Sequence, residues 1–439
     1  MIGSPIIAAS NLSLPGTSKM DLSITKKLTV LLCIGFLLEL ALNAVLAQLL
    51  TPTHFGDFRV VFSIITAFSP LVVLGAESSV GRFVPEYLKN QRLTKLKGFL
   101  TFKGLLFVAA FLVCLVCTLA YLQWIRDQPL SDLTSDRHHP MWAFLWLIPL
   151  LASNKFLERL LRSFNLVSLA FIPYIIIFPL TLMSLLHLNH GFVGFIDIHH
   201  ALFALGASFT IVALIQLVIL FAYMPKTLPQ ETAAYEMSTW LRAGVTLLGV
   251  TFSTRLFFGI ELLLLEMLSL EEVAIGYFAA LIMIVSVNWV IYNATTMAYL
   301  PEISPTLLSK DKQAIRQLLL RGFKTMTILS ACAALLIIVF APQILHFFGP
   351  TYVAYSLQLR VLAIGCMITN ILSVPRAFLQ YSHFAQHLVV PSVAIIFIAI
   401  VISSVFILWL GLWGAVLSFI LNRFVQSLWL NMLCRKLVS

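Results

Sequence analysis

The chain alternates between long apolar runs and short polar breaks along its length. A membrane-spanning α-helix needs roughly 20 mostly apolar residues, and twelve runs approach that length. Six lie in the first half, at 28–50, 60–80, 98–122, 141–156, 165–188 and 201–224. Six lie in the second half, at 243–265, 273–296, 325–346, 357–374, 388–410 and 415–433. The pattern predicts an all-α integral membrane protein with about twelve transmembrane helices.

Composition supports membrane insertion over a soluble fold. Of the 439 residues, 60% are hydrophobic and only 10% are charged, whereas soluble domains carry roughly 25% charged residues. Residues 1–24 are polar and aperiodic, and we predict a disordered cytoplasmic tail there. The breaks divide the remainder into a first six-helix bundle at 25–224 and a second at 225–439.

The basic residues predict the orientation of the helices. Lys and Arg accumulate in short cytoplasmic loops, and with the N-terminus inside, 22 of the 28 basic residues fall in or beside cytoplasmic segments. Lys155 is counted among them, at the inner end of the fourth run. Both termini are then cytoplasmic. The net charge of +10 therefore indicates topology and contact with anionic membrane lipids, and no nucleic-acid partner is predicted.

The two halves share a motif at matching positions. Gly56 and Gly276 each lie in an x-Gly-x-Phe sequence at the start of an even-numbered span, and a Pro-Glu pair follows at its end, at Pro85 and Pro301. Both six-helix units begin on the same side of the membrane. The motif therefore predicts a parallel repeat, and transporters built from repeats place the substrate between the repeats.

The same segments resemble a known family. The sequences are AQLLTPTHFGDF at 47–58, GAESSVGRFVPEY at 75–87, FFGPTY at 347–352 and GLWGA at 411–415. They are similar to the polysaccharide transporter branch (Wzx-like O-antigen flippases of lipopolysaccharide biosynthesis) of the multidrug/oligosaccharidyl-lipid/polysaccharide exporter superfamily. The resemblance implies a V-shaped pair of six-helix bundles that flips a polyprenyl-pyrophosphate-linked oligosaccharide across a bacterial inner membrane by alternating access. It also implies that the first, second, seventh and eighth helices line the cavity.

Polar residues inside the runs are the candidate cavity residues. A charge at the bilayer centre costs roughly 2.5–3.5 kcal/mol, so it faces a cavity or a partner. The predicted substrate-binding residues are Arg255, Arg59, Glu39, Asn43, Arg423 and Glu261. Gly35, Glu39, Asn43 and Ala47 recur every four residues and form one small, polar helix face.

Arg255 is the predicted cationic anchor for the pyrophosphate, because an Arg side chain binds phosphate through two parallel hydrogen bonds. The alternative for each of these charged residues is a structural ion pair inside the bundle. For Arg255, the pair considered is with Glu39.

Two other functions are compatible with the pattern. The first is a multidrug or small-molecule cation antiporter of the same superfamily, and the second is a membrane-embedded glycan-modifying enzyme. No Walker A sequence occurs, and the longest polar break, at 297–324, is too short for a catalytic domain. We therefore predict a transporter rather than an enzyme, without catalytic residues, metal site or cofactor. The predicted partners are a lipid-linked oligosaccharide and membrane lipids, with H⁺ or Na⁺ as the candidate coupling ion.

The predicted topology can be tested by cysteine labelling. Single cysteines replacing Lys95, Lys226 and Lys312 lie in cytoplasmic loops, so an impermeant thiol reagent added to intact cells leaves them unlabelled. Asn189→Cys, in a predicted outer loop, is the positive control. Labelling of any of the three lysine positions in intact cells contradicts the orientation.

Overall fold

The computed structural model describes residues 22–126, 140–268, 271–309, 311–381 and 389–438. Within these ranges the regular structure is helical and contains no strand. Most of the predicted N-terminal tail, residues 1–21, lies outside the described residues, and the first helix begins at Leu22.

Eight α-helices form the first half. They are α1 Leu22–Leu49, α2 Pro52–Val72, α3 Ala76–Lys89, α4 Leu93–Arg126, α5 Leu147–Ser163, α6 Val167–Ile172, α7 Phe178–Val193 and α8 Ile198–Tyr223. A π-helical turn, Pro173–Ile177, joins α6 to α7. A short 3₁₀ helix, Pro140–Phe144, precedes α5.

Eight α-helices also form the second half. They are α9 Met237–Leu268, α10 Glu272–Val285, α11 Val287–Ser309, α12 Lys312–His346, α13 Ser356–Leu372, α14 Val374–Tyr381, α15 Val389–Leu410 and α16 Leu412–Val438. Each of the twelve predicted apolar runs coincides with helix, which confirms the all-α membrane fold. By length and apolar composition alone, nine helical segments of the described ranges can cross a membrane, and α15 contributes a shorter apolar segment, Ala394–Leu410.

Several predicted spans are interrupted rather than continuous, among them the second, the fifth and the eighth. The second span breaks between α2 and α3, where Gly75 adopts φ +65° and supplies the left-handed conformation that L-residues avoid. The fifth contains the π-helical turn, which starts at Pro173, a residue with no N–H for the helical ladder. The eighth breaks at Ser286, between α10 and α11. The apolar pattern predicted the spans but not these breaks.

The outer surface carries the apolar side chains expected of a protein in lipid. One face of α4 is between 53% and 64% exposed at Leu105, Val108, Leu112, Val113, Val116 and Leu119. A water-soluble protein rarely exposes a contiguous apolar patch of this extent. This face of α4 is therefore suited to contact acyl chains.

The two halves meet tightly at one end of the molecule, which we call the sealed end. Gly56 of α2 lies against Gly276 of α10, and a Cβ atom at Gly276 would collide with the carbonyl oxygen of Pro52. The Tyr352 ring packs beside Phe55 and Tyr277, at centroid distances of 6.5 and 5.0 Å. The two glycines of the repeated motif thus face each other across the interface between the halves.

At the opposite end, the segment between the halves lies across α3 and α4. The Ala234 amide donates to the Thr94 carbonyl oxygen at 3.0 Å. The Glu236 carboxylate accepts a hydrogen bond from Lys95 Nζ, and this bond holds the pKa of Glu236 below its usual range. The indole of Trp240 donates to Tyr87 Oη at 2.9 Å. The first turns of α9 are therefore anchored on the first half.

Helix α9 contacts both halves of the molecule. Its N-terminal part packs on α2 and α3, where Phe252 contacts Phe68 with ring centroids 5.7 Å apart. Further along, Phe257 and Ile260 pack against apolar residues of α15. Polar side chains on α9 are therefore placed to join the two halves.

Candidate functional site

Polar side chains line a small cavity inside the first half. Glu39 and Asn43 of α1 and Arg59 of α2 supply its polar groups, and its apolar wall consists of Leu42, Leu46, Phe58, Phe62, Phe178 and Leu182. Glu39 and Asn43 lie one helical turn apart and therefore share a face of α1. Three of the six residues predicted from sequence are thus brought together here.

Neutral groups hold Arg59 in this cavity. Its Nη1 donates to Asn43 Oδ1 at 3.0 Å, and its guanidinium carbon lies 5.5 Å from the centre of the Phe62 ring. Asn43 is almost fully buried, and its Nδ2 donates to the Glu39 carbonyl oxygen at 2.7 Å. Within the described part of the chain, the buried Nε of Arg59 has no hydrogen-bond partner. Arg59 therefore has one buried donor that no described protein group satisfies.

Glu39 lines the cavity, and its side chain is exposed there. Its carboxylate lies within electrostatic range of two cations, Arg59 and Lys155. The side chain therefore lines an internal polar space instead of facing lipid. The other two residues of the predicted small face of α1 are packed against protein. Gly35 lies tightly against Ile175, and Ala47 is buried.

Lys155 lies close to the cavity, although the sequence pattern placed it at a cytoplasmic helix end. The prediction counted it with the cytoplasmic ends of the spans, but α5 continues to Ser163, two turns further. Its Nζ lies 3.3 Å from the centre of the Tyr174 ring and 3.6 Å from Glu158 Oε2. The sequence did contain a signal for this position. Lys155 lies within an apolar run, and a charge inside a membrane span requires a partner.

Arg255 forms an ion pair with Glu77, which joins α9 to α3 of the first half. Its Nη2 donates to both carboxylate oxygens of Glu77, at 2.7 and 2.9 Å. Its Nη1 donates to Ser69 Oγ at 2.6 Å and to the Thr66 carbonyl oxygen at 3.2 Å. The pair considered from sequence, Arg255 with Glu39, is therefore not formed.

Glu261 and Arg423 form a separate pair inside the second half. Glu261 is completely buried, and its Oε1 lies 3.3 Å from Arg423 Nη1 and 3.0 Å from Asn422 Nδ2. The Arg423 guanidinium also covers the Phe419 ring at 3.2 Å. The six predicted residues thus occupy three places: the first-half cavity, the bridge between α9 and α3, and this buried pair.

Among the residues with described positions, no group of three or more His, Cys, Asp or Glu side chains is arranged to hold a metal ion. The polar groups that line the cavity are one cation, one amide and one carboxylate, from Arg59, Asn43 and Glu39. Such a set binds anions and hydroxyl groups through hydrogen bonds and charge.

A family model described as polysaccharide biosynthesis protein matches residues 25–307. The chain belongs to this family. The match covers the whole first half, including the cavity, and continues through α9, α10 and most of α11. Among curated proteins, no sequence matches the chain.

Solved structures of multidrug transporters share the fold of this family member. An inward-facing multidrug resistance MATE family transporter of the MOP superfamily aligns with a TM-score of 0.73 at 15% identity, over 92% of this chain and 95% of the other. An outward-facing MATE transporter of the same superfamily aligns with a TM-score of 0.60 at 16% identity, over 94% and 96%. A MATE structure in complex with MaL6 aligns with a TM-score of 0.62 at 17% identity, over 94% and 96%. At these identities the likeness establishes the fold.

The Arg255–Glu77 pair predicts a loss of stability on truncation. Glu77 is 8% exposed and Arg255 20%, so Arg255→Ala leaves a nearly buried carboxylate without its cation. Removing one partner of a fully buried pair costs about 3–5 kcal/mol, and the partial exposure of Arg255 reduces this to roughly 2–3 kcal/mol. Thermal unfolding in detergent measures the change.

Arg360→Ala is the matched control, because Arg360 Nε donates to a backbone carbonyl, that of Ile338 at 3.2 Å. We expect a smaller loss there, and partial recovery in the Arg255→Ala/Glu77→Gln double variant. Equal melting temperatures for the two single variants would contradict a structural role of the Arg255–Glu77 pair.

Proposed function

We propose that this protein translocates a polyprenyl-pyrophosphate-linked oligosaccharide across a bacterial inner membrane, with alternating access of the cavity to the two sides. The observation that carries the proposal is the first-half cavity, where neutral groups hold Arg59 near Glu39, and where Lys155 lies close by on the Tyr174 ring, 3.6 Å from Glu158 Oε2. Membership of the polysaccharide biosynthesis protein family supports a glycan-related cargo.

The chemistry of the cargo requires such a cavity. Sugar hydroxyls and pyrophosphate cannot enter hydrocarbon without large desolvation costs, so they need a polar path through the protein. The polyprenyl chain is apolar and remains in the lipid. A guanidinium held by neutral partners can exchange one of them for a phosphate oxygen, and Arg59 is held by Asn43 and the Phe62 ring. Arg255, the anchor predicted from sequence, has its terminal nitrogens already engaged by Glu77, Ser69 and Thr66.

The conformation supports alternating access. Contacts between Gly56 and Gly276 and among the aromatic rings close the sealed end, and the fold aligns better with an inward-facing than with an outward-facing transporter. We infer that the sealed end faces the periplasm. The basic loops, including Lys95, and both termini then lie in the cytoplasm, as the charge distribution predicts.

The alternative from sequence, a cation antiporter, has the support of the multidrug transporter fold. A cavity for organic cations favours carboxylates and aromatic faces. Here two cations, Arg59 and Lys155, lie within electrostatic range of Glu39, and their positive charges repel a positively charged drug. The anionic cargo is therefore the better match.

Removal of the Arg59 charge tests the proposal. In proteoliposomes, Arg59→Ala is expected to reduce flipping of a polyprenyl-pyrophosphate oligosaccharide about tenfold to hundredfold, because a charged hydrogen bond contributes about 1.5–3 kcal/mol. Arg59→Lys retains part of the activity, since it keeps the charge but loses the planar donor geometry.

Arg360→Ala, outside the cavity, is the control and should flip the substrate as the wild type does. Wild-type flipping by Arg59→Ala would refute the role of this cavity. Export of a cationic dye by the wild type, without flipping of the lipid-linked glycan, would establish the antiporter.

Glu39 is the candidate proton carrier. If protons drive transport through this carboxylate, Glu39→Gln binds substrate but loses the pH dependence of flipping, because the amide keeps the shape and cannot titrate. One charge moved through the membrane potential supplies about 2.3 kcal/mol per 100 mV, enough to bias the return of an empty carrier. Flipping rates between pH 5.5 and 8 in proteoliposomes measure this. A Glu39→Gln protein that keeps the wild-type pH profile would exclude the carrier role.

A further inference from the structure

The π-helical turn between α6 and α7 has a defined partner on α1. In the turn, Phe178 N–H bonds to the Pro173 carbonyl oxygen, five residues earlier. Its Ile175 side chain lies so close to Gly35 that a Cβ atom there would collide with it. Gly35 is one helical turn from Glu39. The turn is therefore fixed beside the part of α1 that lines the cavity, and π-helical turns recur at functional sites.

Tyr174 lies in this turn with its ring held by stacking. The Tyr174 and Phe178 rings are nearly parallel, with centroids 5.3 Å apart, and Phe178 stacks in turn on Phe209 at 5.2 Å. Phe178 also lines the cavity. A π-helical turn contains one more residue than an α-helical turn, and one extra residue rotates the side chains beyond it by about 100°. A regular α-helix through this segment would therefore place Tyr174 in a different direction relative to Phe178 and the cavity wall.

The Tyr174 ring competes with a carboxylate for Lys155. The Lys155 ammonium lies 3.3 Å from the ring centre, whereas Glu158 Oε2 is 3.6 Å away, and the other Glu158 oxygen is paired with Arg162 at 3.3 Å. A cation on the face of an aromatic ring keeps its full positive charge, which can attract an incoming anion. A cation that is hydrogen-bonded to a carboxylate is neutralised by it.

We propose that Lys155 is the second phosphate-binding cation of the cavity, and that Tyr174 positions it there. The inference rests on the proposed function, which supplies the diphosphate. Arg59 of α2 lines the cavity, and Lys155 of α5 lies on the Tyr174 ring, which stacks on Phe178 of the cavity wall. An anion entering beside Glu39 therefore meets cations from two helices. Two cations match the two phosphate groups of a pyrophosphate better than a single phosphate. The site therefore selects a pyrophosphate-linked lipid over a phosphate-linked one.

The test measures the position of Lys155 directly. In the purified full chain in detergent, lysines are reductively methylated with ¹³C, and Lys155→Arg assigns the Lys155 signal. Protons over an aromatic face resonate upfield, so we expect an upfield Lys155 signal that Tyr174→Phe keeps and Tyr174→Leu removes. Geranylgeranyl pyrophosphate and geranylgeranyl phosphate are then titrated, with affinities measured by calorimetry on unmethylated protein.

We expect the pyrophosphate to shift the Lys155 signal. We also expect Tyr174→Leu to bind the pyrophosphate about fivefold to tenfold more weakly than the wild type, and Tyr174→Phe to bind it equally well. The monophosphate binds more weakly than the pyrophosphate in the wild type. Phe171→Leu is the matched control. The Phe171 ring lies on the same helical stretch, and its centre is 5.0 Å from the guanidinium carbon of Arg162. The pyrophosphate affinity of this variant should equal that of the wild type.

The outcomes separate the two proposals. If the wild type binds the pyrophosphate and Tyr174→Leu binds it equally well, the positioning role is wrong while the proposed function stands. If Lys155→Met keeps full affinity, Lys155 is not a phosphate ligand. Equal wild-type affinity for the two lipids overturns the selectivity. If the wild type binds neither lipid, the proposed function fails, and this inference fails with it.

Discussion

A charged side chain in the hydrocarbon layer must meet an opposite charge, a polar group, an aromatic face or water, because bare transfer into lipid costs several kcal/mol. The arrangement of helices in this protein follows from that constraint. Arg255 fixes α9 to the first half through Glu77, and Arg423 fixes α16 to α9 through Glu261. The apolar residues place these helices in the membrane, and the ion pairs determine which neighbours they take.

The sequence was sufficient for the spans but not for the partners of the charges. An apolar run of about 20 residues can only be helical when it crosses a membrane, so its length and composition predict its structure. The four-residue spacing of Glu39 and Asn43 likewise predicts a shared face. The spacing of residues along one helix does not indicate which other helix packs against it. The pairing of Arg255 with Glu77, 178 residues away, could therefore be seen only in the tertiary structure.

Lys155 illustrates the same limit within a single helix. A basic residue at the end of an apolar run is ordinarily a topology signal, and the polar residues that follow it make the run appear to end there. The helix continues because Glu158 and Arg162, one turn apart, pair with each other at 3.3 Å. This pair extends the helix past the apolar run, so that Lys155 lies within it.

The repeat makes the halves alike in fold, yet their charges are neutralised differently. In the second half, Arg423 and Glu261 satisfy each other, and a ligand that displaced either would leave the other buried and unpaired at high cost. In the first half, Arg59 contacts an amide oxygen, and Lys155 lies closest to a ring. Replacing the neutral partners of Arg59 by an anion leaves no buried charge behind. Glu158, 3.6 Å from Lys155, keeps its pair with Arg162 at 3.3 Å. On the proposed function, an anionic ligand is therefore accommodated in the first half at lower cost than in the second.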